Sequence, residues 1–504
     1  MTRRPSHRRD QLFPARCPRV RCCGRWLLSR AEGKAPGGVS VTDFDAIVIG
    51  AGAAGLSAAA LLATEGQRVL VVERSNFLGG RGMATNDEGY ELNLGAHLLE
   101  DPGSGITRIF QHVGKELRHG PCNTDMPVWD HVTEAWGSIR DRYSGGKEQL
   151  KKVIHALVTT PYEELEQWDD RPMRSWISQY TDHEGVSDLF EFISVMECMT
   201  EDWWDHSASD NLFNRKMHYS ERRMAAYSFW PEGGWDKIFT TLRDVVVDRG
   251  GEVRLGRRVS RVLIADGEVK GIALARPDAV LPNEIFHDEI VTAPVVVSTL
   301  PVWHVLQIVP EQQLPDWYVG QIKYLAQDRW RISWAGLYVA TEEPVAVIDR
   351  QEIATWLHSP LGRTSGFMFE MTAMDPSVAP EGRHLYVMGS MLHRFNRGRD
   401  IDFVKRKFDE FEQDVETMWP ALRNHVFKRR HYTFDPSFGV IQKPGLVGRY
   451  RPHWKAPNVS GLYFASETFK SRGIGVDRAA RAGLTCAEDI LGRRLWPLDE
   501  GWRY

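Results

Sequence analysis

The chain has 504 residues, of which 42% are hydrophobic and 26% charged, and its formal net charge is −4. That length exceeds one ordinary domain and predicts two interleaved domains with material for a large core. The small negative charge gives no footing for nucleic acid as a partner, and no apolar run reaches the roughly 18 residues that a membrane-crossing helix needs.

Residues 1–40 differ from the rest. They are rich in Arg and Pro, and Asp10 is the only acid before Glu32. A secretory or twin-arginine signal needs an apolar core, and Trp26-Leu27-Leu28 is too short for one. Pro5, Pro14 and Pro18 break the amphipathic helix of a transit peptide. The segment reads as a disordered tail, or as sequence upstream of a true start near Val39 or Val41. Of six cysteines, Cys17, Cys22 and Cys23 lie here, whereas Cys122, Cys198 and Cys486 are far apart. This is no disulfide framework and points to a reducing, cytoplasmic setting. Cys22-Cys23 has no His or Cys partners at ligand spacing, so no metal is expected.

The first block with chemistry is Asp45–Glu73, DAIVIGAGAAGLSAAALLATEGQRVLVVE. Asp45–Ile49 reads as a buried parallel strand. Leu56 to about Thr64 reads as a helix stopped by Gly66, and Val69–Val72 as the next strand. Between strand and helix stand Gly50, Gly52 and Gly55, a G-x-G-x-x-G. Gly50 permits the tight turn, Gly52 lets a pyrophosphate approach the backbone, and Gly55 lets helix and strand pack closely. Free N–H groups of the first helical turn, with Ala54 among them, and the helix dipole favour an anion there. Glu73 can accept from a ribose diol, and it disfavours a 2′-phosphate by like charge. The motif alone therefore specifies a dinucleotide site. Next to it stand Arg74, then Gly79-Gly80-Arg81, where glycines again permit close approach and Arg81 offers a donor fork to phosphate. Gly95-Ala96-His97 is a small-residue turn against which a planar ligand could lie.

Residues 105–230 are helical in pattern and rich in Trp and acid. Trp168, Trp176 and Trp203-Trp204 read as packing rather than as a substrate cage. A second block starts near Phe229. It has a turn at Gly233-Gly234, an amphipathic helix carrying Ile238, Leu242, Val245 and Val246, and a strand at Glu252–Leu255. A hairpin is signalled about Asp266-Gly267, followed by a buried strand in Ala293–Leu300. Trp235 is a substrate-side candidate. Pro301–Pro310 is an apolar stretch that reads as a core helix, with peripheral membrane contact as the alternative. A third block, Gly461–Leu491, has a strand at Leu462–Ala465, a loop with Gly473 and Gly475, and a helix over Val476–Leu491.

These three blocks together resemble the flavin amine oxidase / phytoene desaturase superfamily of FAD enzymes. The match rests on Gly50, Gly52, Gly55, Glu73, Gly80 and Arg81, on the strand at Val259, and on Glu467 with Gly475-Val476-Asp477 and Gly483. The resemblance implies an α/β protein, with a discontinuous Rossmann-type FAD-binding domain (44–125, 229–300 and 455–495) and an interleaved α+β substrate domain (301–454). Residues 126–228 would form a mainly helical cap. It also implies that Val259 passes the adenine, that Glu467 holds the ribityl chain, and that Gly475-Val476-Asp477 meets the flavin pyrimidine ring. Ser466, Arg478, Ala480 and Asn93 depart from the family pattern. No Cys stands at the C-terminal loop, which implies non-covalent FAD.

Gly95-Ala96-His97 and the Gly-Gly segment are similar to the phytoene desaturase branch. His97 then has two readings: general base or substrate partner near the ring, or a hydrogen-bonded residue of the cofactor wall. The implied reaction is hydride removal from a largely apolar, isoprenoid or alicyclic substrate, leaving a C=C bond, with O2 or a quinone as final acceptor. Arg472 would pair with a substrate carboxylate. Amine oxidation with peroxide release, redox-neutral isomerisation or saturation, and flavin-free lipid escort remain as alternatives on the same scaffold.

Overall fold

The computed structural model describes residues 43–97, 105–119, 127–138, 144–198, 206–220, 230–275, 287–345, 353–392, 400–434 and 439–495, with Leu99 and Asp141. The N-terminal extension, Cys122, Trp203-Trp204 and Phe229 lie outside these residues, as does the side chain of Cys198.

Two sheets organise the chain. The first contains β1 (Ala46–Ile49), β2 (Val69–Val72), β7 (Glu252–Arg254), β11 (Val295–Ser298) and β17 (Leu462–Phe464). Their spatial order is β17-β11-β1-β2-β7, with every pairing parallel. β1 and β2 are buried at all four positions, which is why AIVI and VLVV read as continuous apolar runs. The strand order reverses between β1 and β11, the switch point where ligands sit in such sheets. Helix α1 (Ala53–Thr64) leaves β1 and packs on the last helix, called α8 below (Gly475–Leu491). A Cβ at Gly483 would overlap Ala54 O and stand 3.1 Å from Ala58 N, so the two helices meet backbone to backbone.

β8 (Val259–Ala265) and β9 (Glu268–Ala275) form the expected hairpin. Asp266 at φ 54° and Gly267 at φ 72° make its two-residue turn. With β10 (His287–Thr292) they complete a three-stranded sheet.

The second large sheet has seven strands in the order β16-β12-β15-β14-β13-β5-β6. Its members are β5 (Pro127–Asp130), β6 (Ala135–Ser138), β12 (Ser333–Thr341), β13 (Ile353–Trp356), β14 (Gly366–Glu370), β15 (His384–Leu392) and β16 (Val426–Phe434). The β5–β6 hairpin comes from the stretch read as helical; its alternation is too short to stand out in sequence. One face carries Leu337, Val339, Met368, Met388 and Trp356, and packs on Phe411, Val415 and Met418 of α7 (Ile401–Met418). The other face carries Trp334, Tyr338, Phe367, Phe369 and Val387, and joins the core of the parallel sheet.

A helical layer fills the chain between the sheets. Helices α3 (Lys147–Thr159), α4 (Glu184–Cys198) and α5 (Ala208–Ser220) enclose a cluster with Val153, Leu157, Trp176, Phe190 and Leu212. Trp176 is fully buried here and stacks near Tyr180, and Trp168 lies under Arg171. The Pro301–Pro310 stretch contains a four-residue helix, Val302–Val305, with Val302, Val305, Ile308 and Val309 buried. No helix among the described residues is long and apolar enough to cross a membrane.

Candidate functional site

The site starts at the end of β1. Gly50 has φ 107°, and a Cβ there would run into Thr299, whose hydroxyl donates to Ile49 O at 2.8 Å. Gly52 is the N-cap of α1 and supplies no side chain to the first turn, which also has no acid. The backbone N–H groups at Ala53, Ala54 and Gly55 are thus presented with the positive end of the helix dipole. Gly55 faces the Gly50 carbonyl so closely that a Cβ would overlap it.

A second bare turn closes over the first. Gly79 N donates to Ala51 O at 2.8 Å, and Gly79 pairs with Gly52 as a parallel bridge. Cβ atoms added at Gly52 or Gly80 would stand 3.4 to 3.9 Å from the opposite backbone. The gap is therefore a cradle walled by main chain that any side chain would fill. Glu73 ends β2 with its carboxylate held by Ala51 N at 2.9 Å and Ser75 N at 2.8 Å. Arg257 N donates to Glu73 O, which brings Val259 and the start of β8 beside that acid. Arg74 is exposed at the same end.

Arg81 pairs with Glu467 from the opposite end of the chain. Burial alone would raise the Glu467 carboxyl, but Arg81 holds it below the usual range. Glu467 Oε1 is buried without a protein partner. A carboxylate oxygen left open beside a backbone cradle and an arginine fits a ribityl hydroxyl and a pyrophosphate, the two groups FAD brings. Gly475 has φ 52° at the start of α8; Val476 follows it, half-buried. Asp477 is already engaged, accepting from Ile106 N at 3.2 Å and pairing with Arg481 at 2.9 Å.

Gly95-Ala96-His97 forms the wall between cradle and second sheet. A Cβ at Gly95 would overlap Arg81 O and stand 2.8 Å from Phe434. Asn93 Nδ2 donates to Ala96 O at 3.1 Å, and the Tyr338 hydroxyl donates to Asn93 O at 2.5 Å. His97 Nε2 lies 3.1 Å from the Tyr432 hydroxyl, with Phe367 and Phe369 against its ring. Burial pushes the imidazole down to about 3 and raises the Tyr432 and Tyr338 phenols, so all three groups are neutral. Two glycines thin this face. Gly336 pairs with Gly389 across β12 and β15; the Tyr432 ring lies on Gly336 and the Trp334 ring on Gly389, where Cβ atoms would overlap them.

Two substrate-side expectations are corrected. Arg472 does not face a ligand. It is 1% exposed and spent on Asp169 and Asp210, each at 2.9 Å. Trp235 is fully buried, edge-on to Trp230, and its N donates to Glu91 at 2.9 Å. The Gly-Gly turn before it likewise serves protein carboxylates, since Gly233 N donates to Asp375 at 2.7 Å. An uncharged indole in a Gly-rich motif looks like a ligand wall in sequence, whereas here it starts a buried helix. Tyr432, Thr299, Asp169 and Asp210 had no local signal. Each acts through a partner more than 30 residues away. No cluster of metal-ligand type occurs among the described residues.

Comparison with known proteins agrees with this geometry. Residues 53–491 match the family described as flavin containing amine oxidoreductase, and the chain belongs to that family. Its cofactor is accordingly FAD, and the protein is an FAD-dependent oxidoreductase. Among curated relatives, the prolycopene isomerase of Daucus carota is 23% identical over 89% of this chain and 80% of its own length. The neurosporene-forming phytoene desaturase of Rhodobacter capsulatus is 24% identical over 88% and 93%. Among solved structures, an oxidoreductase from Methanosarcina mazei superposes with a TM-score of 0.69 at 20% identity, covering 88% of this chain and 99% of that one. Putrescine oxidase bound to putrescine gives 0.64 at 16% identity, covering 89% and 99%. At these identities the superpositions establish a shared fold.

Proposed function

We propose that the protein is an FAD-dependent desaturase acting on a largely apolar substrate, isoprenoid or alicyclic, which loses a hydride and a proton from neighbouring carbons to give a C=C bond. The observation that carries this reading is the uncharged aromatic face of the second sheet. Trp334, Tyr338, Phe367, Phe369, Tyr432 and Phe434 come together against the Gly95–His97 wall, and the titratable groups among them are held neutral. Trp334, Tyr338, Phe367 and Phe369 are buried in the shared core, so an apolar ligand reaching this wall would meet uncharged aromatic rings.

FAD, when bound, supplies a two-electron acceptor for this chemistry. The chain's own residues do the rest. Gly52, Gly80 and the first turn of α1 receive the pyrophosphate, Glu73 the ribose, and Arg81 with Glu467 the phosphate and ribityl groups. His97 Nε2 and the Tyr432 hydroxyl pair with one another, while His97 Nδ1 is buried without a protein partner. A ring held near pKa 3 is a weak base, so the proton leaves by solvent or another group. O2 or a quinone would reoxidise the cofactor. Phytoene desaturases and prolycopene isomerases among the relatives support an isoprenoid substrate. The isomerases also support a second reading, in which a double bond of the substrate would migrate without net oxidation. We place the protein in the cytoplasm, with peripheral access to a membrane that holds such a substrate.

The test is anaerobic bleaching of the bound flavin by a panel of acyclic isoprenoids, cyclic ketones and amines. Bleaching by isoprenoids or cyclic ketones with a new C=C bond in the product is expected. Bleaching by amines alone, with stoichiometric peroxide on admitting air, overturns the reading. Double-bond migration at constant oxidation level selects the isomerase form.

A further inference from the structure

Helix α5 is buried for reasons that hydrophobicity does not supply. Every position from Ala208 to Met217 is buried, yet Ser209, Asp210, Asn211, Asn214, Arg215 and Lys216 are polar or charged. Ionised groups lose several kcal/mol each on leaving water, so a helix of this kind persists only where partners wait for it. The partners of Asp210 lie on either side of one loop. Its Oδ1 accepts from Arg472 at 2.9 Å and its Oδ2 from Arg478 at 2.9 Å. Between those two arginines run Gly473 at φ 101°, Ile474, Gly475 at φ 52° and the start of α8.

The bracket is reinforced from both ends. Asp169 takes a second Arg472 nitrogen at 2.9 Å, and the Ser209 hydroxyl donates to Asp169 at 2.5 Å. Arg478 turns its remaining donors back on Ser471, at 3.2 Å to the hydroxyl and 2.7 Å to the carbonyl. Arg478 stands in the first turn of α8, where the helix dipole disfavours a cation. Asp210 resolves this, because one carboxylate neutralises Arg478 and ties it to Arg472. Burial alone would raise this carboxyl, but Arg478 and Arg472 pull it down to about 2.

We propose that Asp210 is a positioning residue for the flavin: through Arg472 and Arg478 it fixes the Gly473–Gly475 loop and sets the charge beside the part of the site that would hold the cofactor. The proposal rests on the FAD assignment. It touches no substrate atom and acts on the cofactor through the two arginines. Asp210 also joins the covering helix to the loop.

The test is Asp210→Asn, which keeps the shape and removes the charge. In the holoenzyme the flavin midpoint potential should move to a more positive value, because two guanidiniums share one fewer carboxylate and the electron-rich flavin is favoured. FAD should bind about tenfold more weakly, a coupling of ordinary size between two sites. Amide exchange over residues 471–481 should become roughly tenfold faster, with and without FAD, as a charged hydrogen bond is lost. Asp210→Asn/Arg478→Gln should return the potential toward wild type by removing one charge of each sign. A folded Asp210→Asn protein with unchanged potential and unchanged exchange overturns the proposal. If that variant does not fold, Arg478→Gln alone should shift the potential the other way, and no shift there overturns it equally. A wild type that carries no FAD would defeat the cofactor assignment, and exchange at 471–481 would still decide whether Asp210 holds the loop.

Discussion

The two ends of the cofactor site are built from different materials. At the amino-terminal end, Gly52, Gly79 and Gly80 oppose bare main chain to bare main chain, and no ion pair is needed to hold the gap open. At the carboxy-terminal end the loop Gly473–Gly475 is held by buried arginines and carboxylates from distant helices. Main-chain geometry obeys local rules and tolerates little side-chain variation. Side-chain brackets can be rewritten pairwise, provided both partners change. The first end follows the general rule for dinucleotide sites, and the second depends on pairs supplied by distant elements of this chain.

The largest expected effect falls on the first end. Gly52→Val should leave the fold intact, because a Cβ there makes only ordinary contacts at 3.7 to 3.9 Å, yet it should yield protein without absorbance near 450 nm. A yellow Gly52→Val protein would show that the cradle is not the pyrophosphate site. At the second end, Asp169→Ala should cost about 3–5 kcal/mol, the usual penalty for stranding one member of a buried ion pair, measured as a fall in the urea midpoint. A loss below about 1 kcal/mol would mean the bracket is dispensable.

His97 lies between the two ends. His97→Ala should retain FAD and slow substrate-driven flavin reduction by less than about tenfold, whereas a general base is worth roughly 10²–10⁴. Stopped-flow reduction slowed a hundredfold or more would restore His97 to a chemical role.

A pH-dependent effect concerns Glu91, which accepts from the backbone N–H of Trp235 at the start of its helix. Burial raises its carboxyl from 4.5 to about 7, with Asp236 and Asp375 adding to the rise. A carboxyl raised in the folded state binds its proton more tightly there than when unfolded. Stability therefore falls as pH climbs from about 4.5 to about 7 and is flat above. Glu91→Gln should remove that slope, so the variant's melting temperature should gain on wild type between pH 5 and pH 8. A constant difference across that range would show that the carboxyl is not strained.

What was legible in sequence divides along the same line. β1, α1, β2, the Asp266-Gly267 hairpin and α8 announce themselves because strand, turn and helix each have a local composition. The cradle residues were legible too, since glycine is the one residue whose absence of side chain is written in the sequence. Arg472 was misread because sequence shows a lone cation in a glycine loop and not the two carboxylates that await it some 260 to 300 positions upstream. Trp235 was misread because an indole beside two glycines looks alike whether it faces a ligand or a core. A mixed sheet was expected over 301–454, but its strand order was not legible: its central strands are buried on both faces, and its β5–β6 edge is contributed by a stretch far from the rest.

The paired glycines Gly336 and Gly389 act as a spacer of negative thickness. Because Tyr432 and Trp334 recline on them, both rings lie closer to the sheet than an alanine at either position would permit.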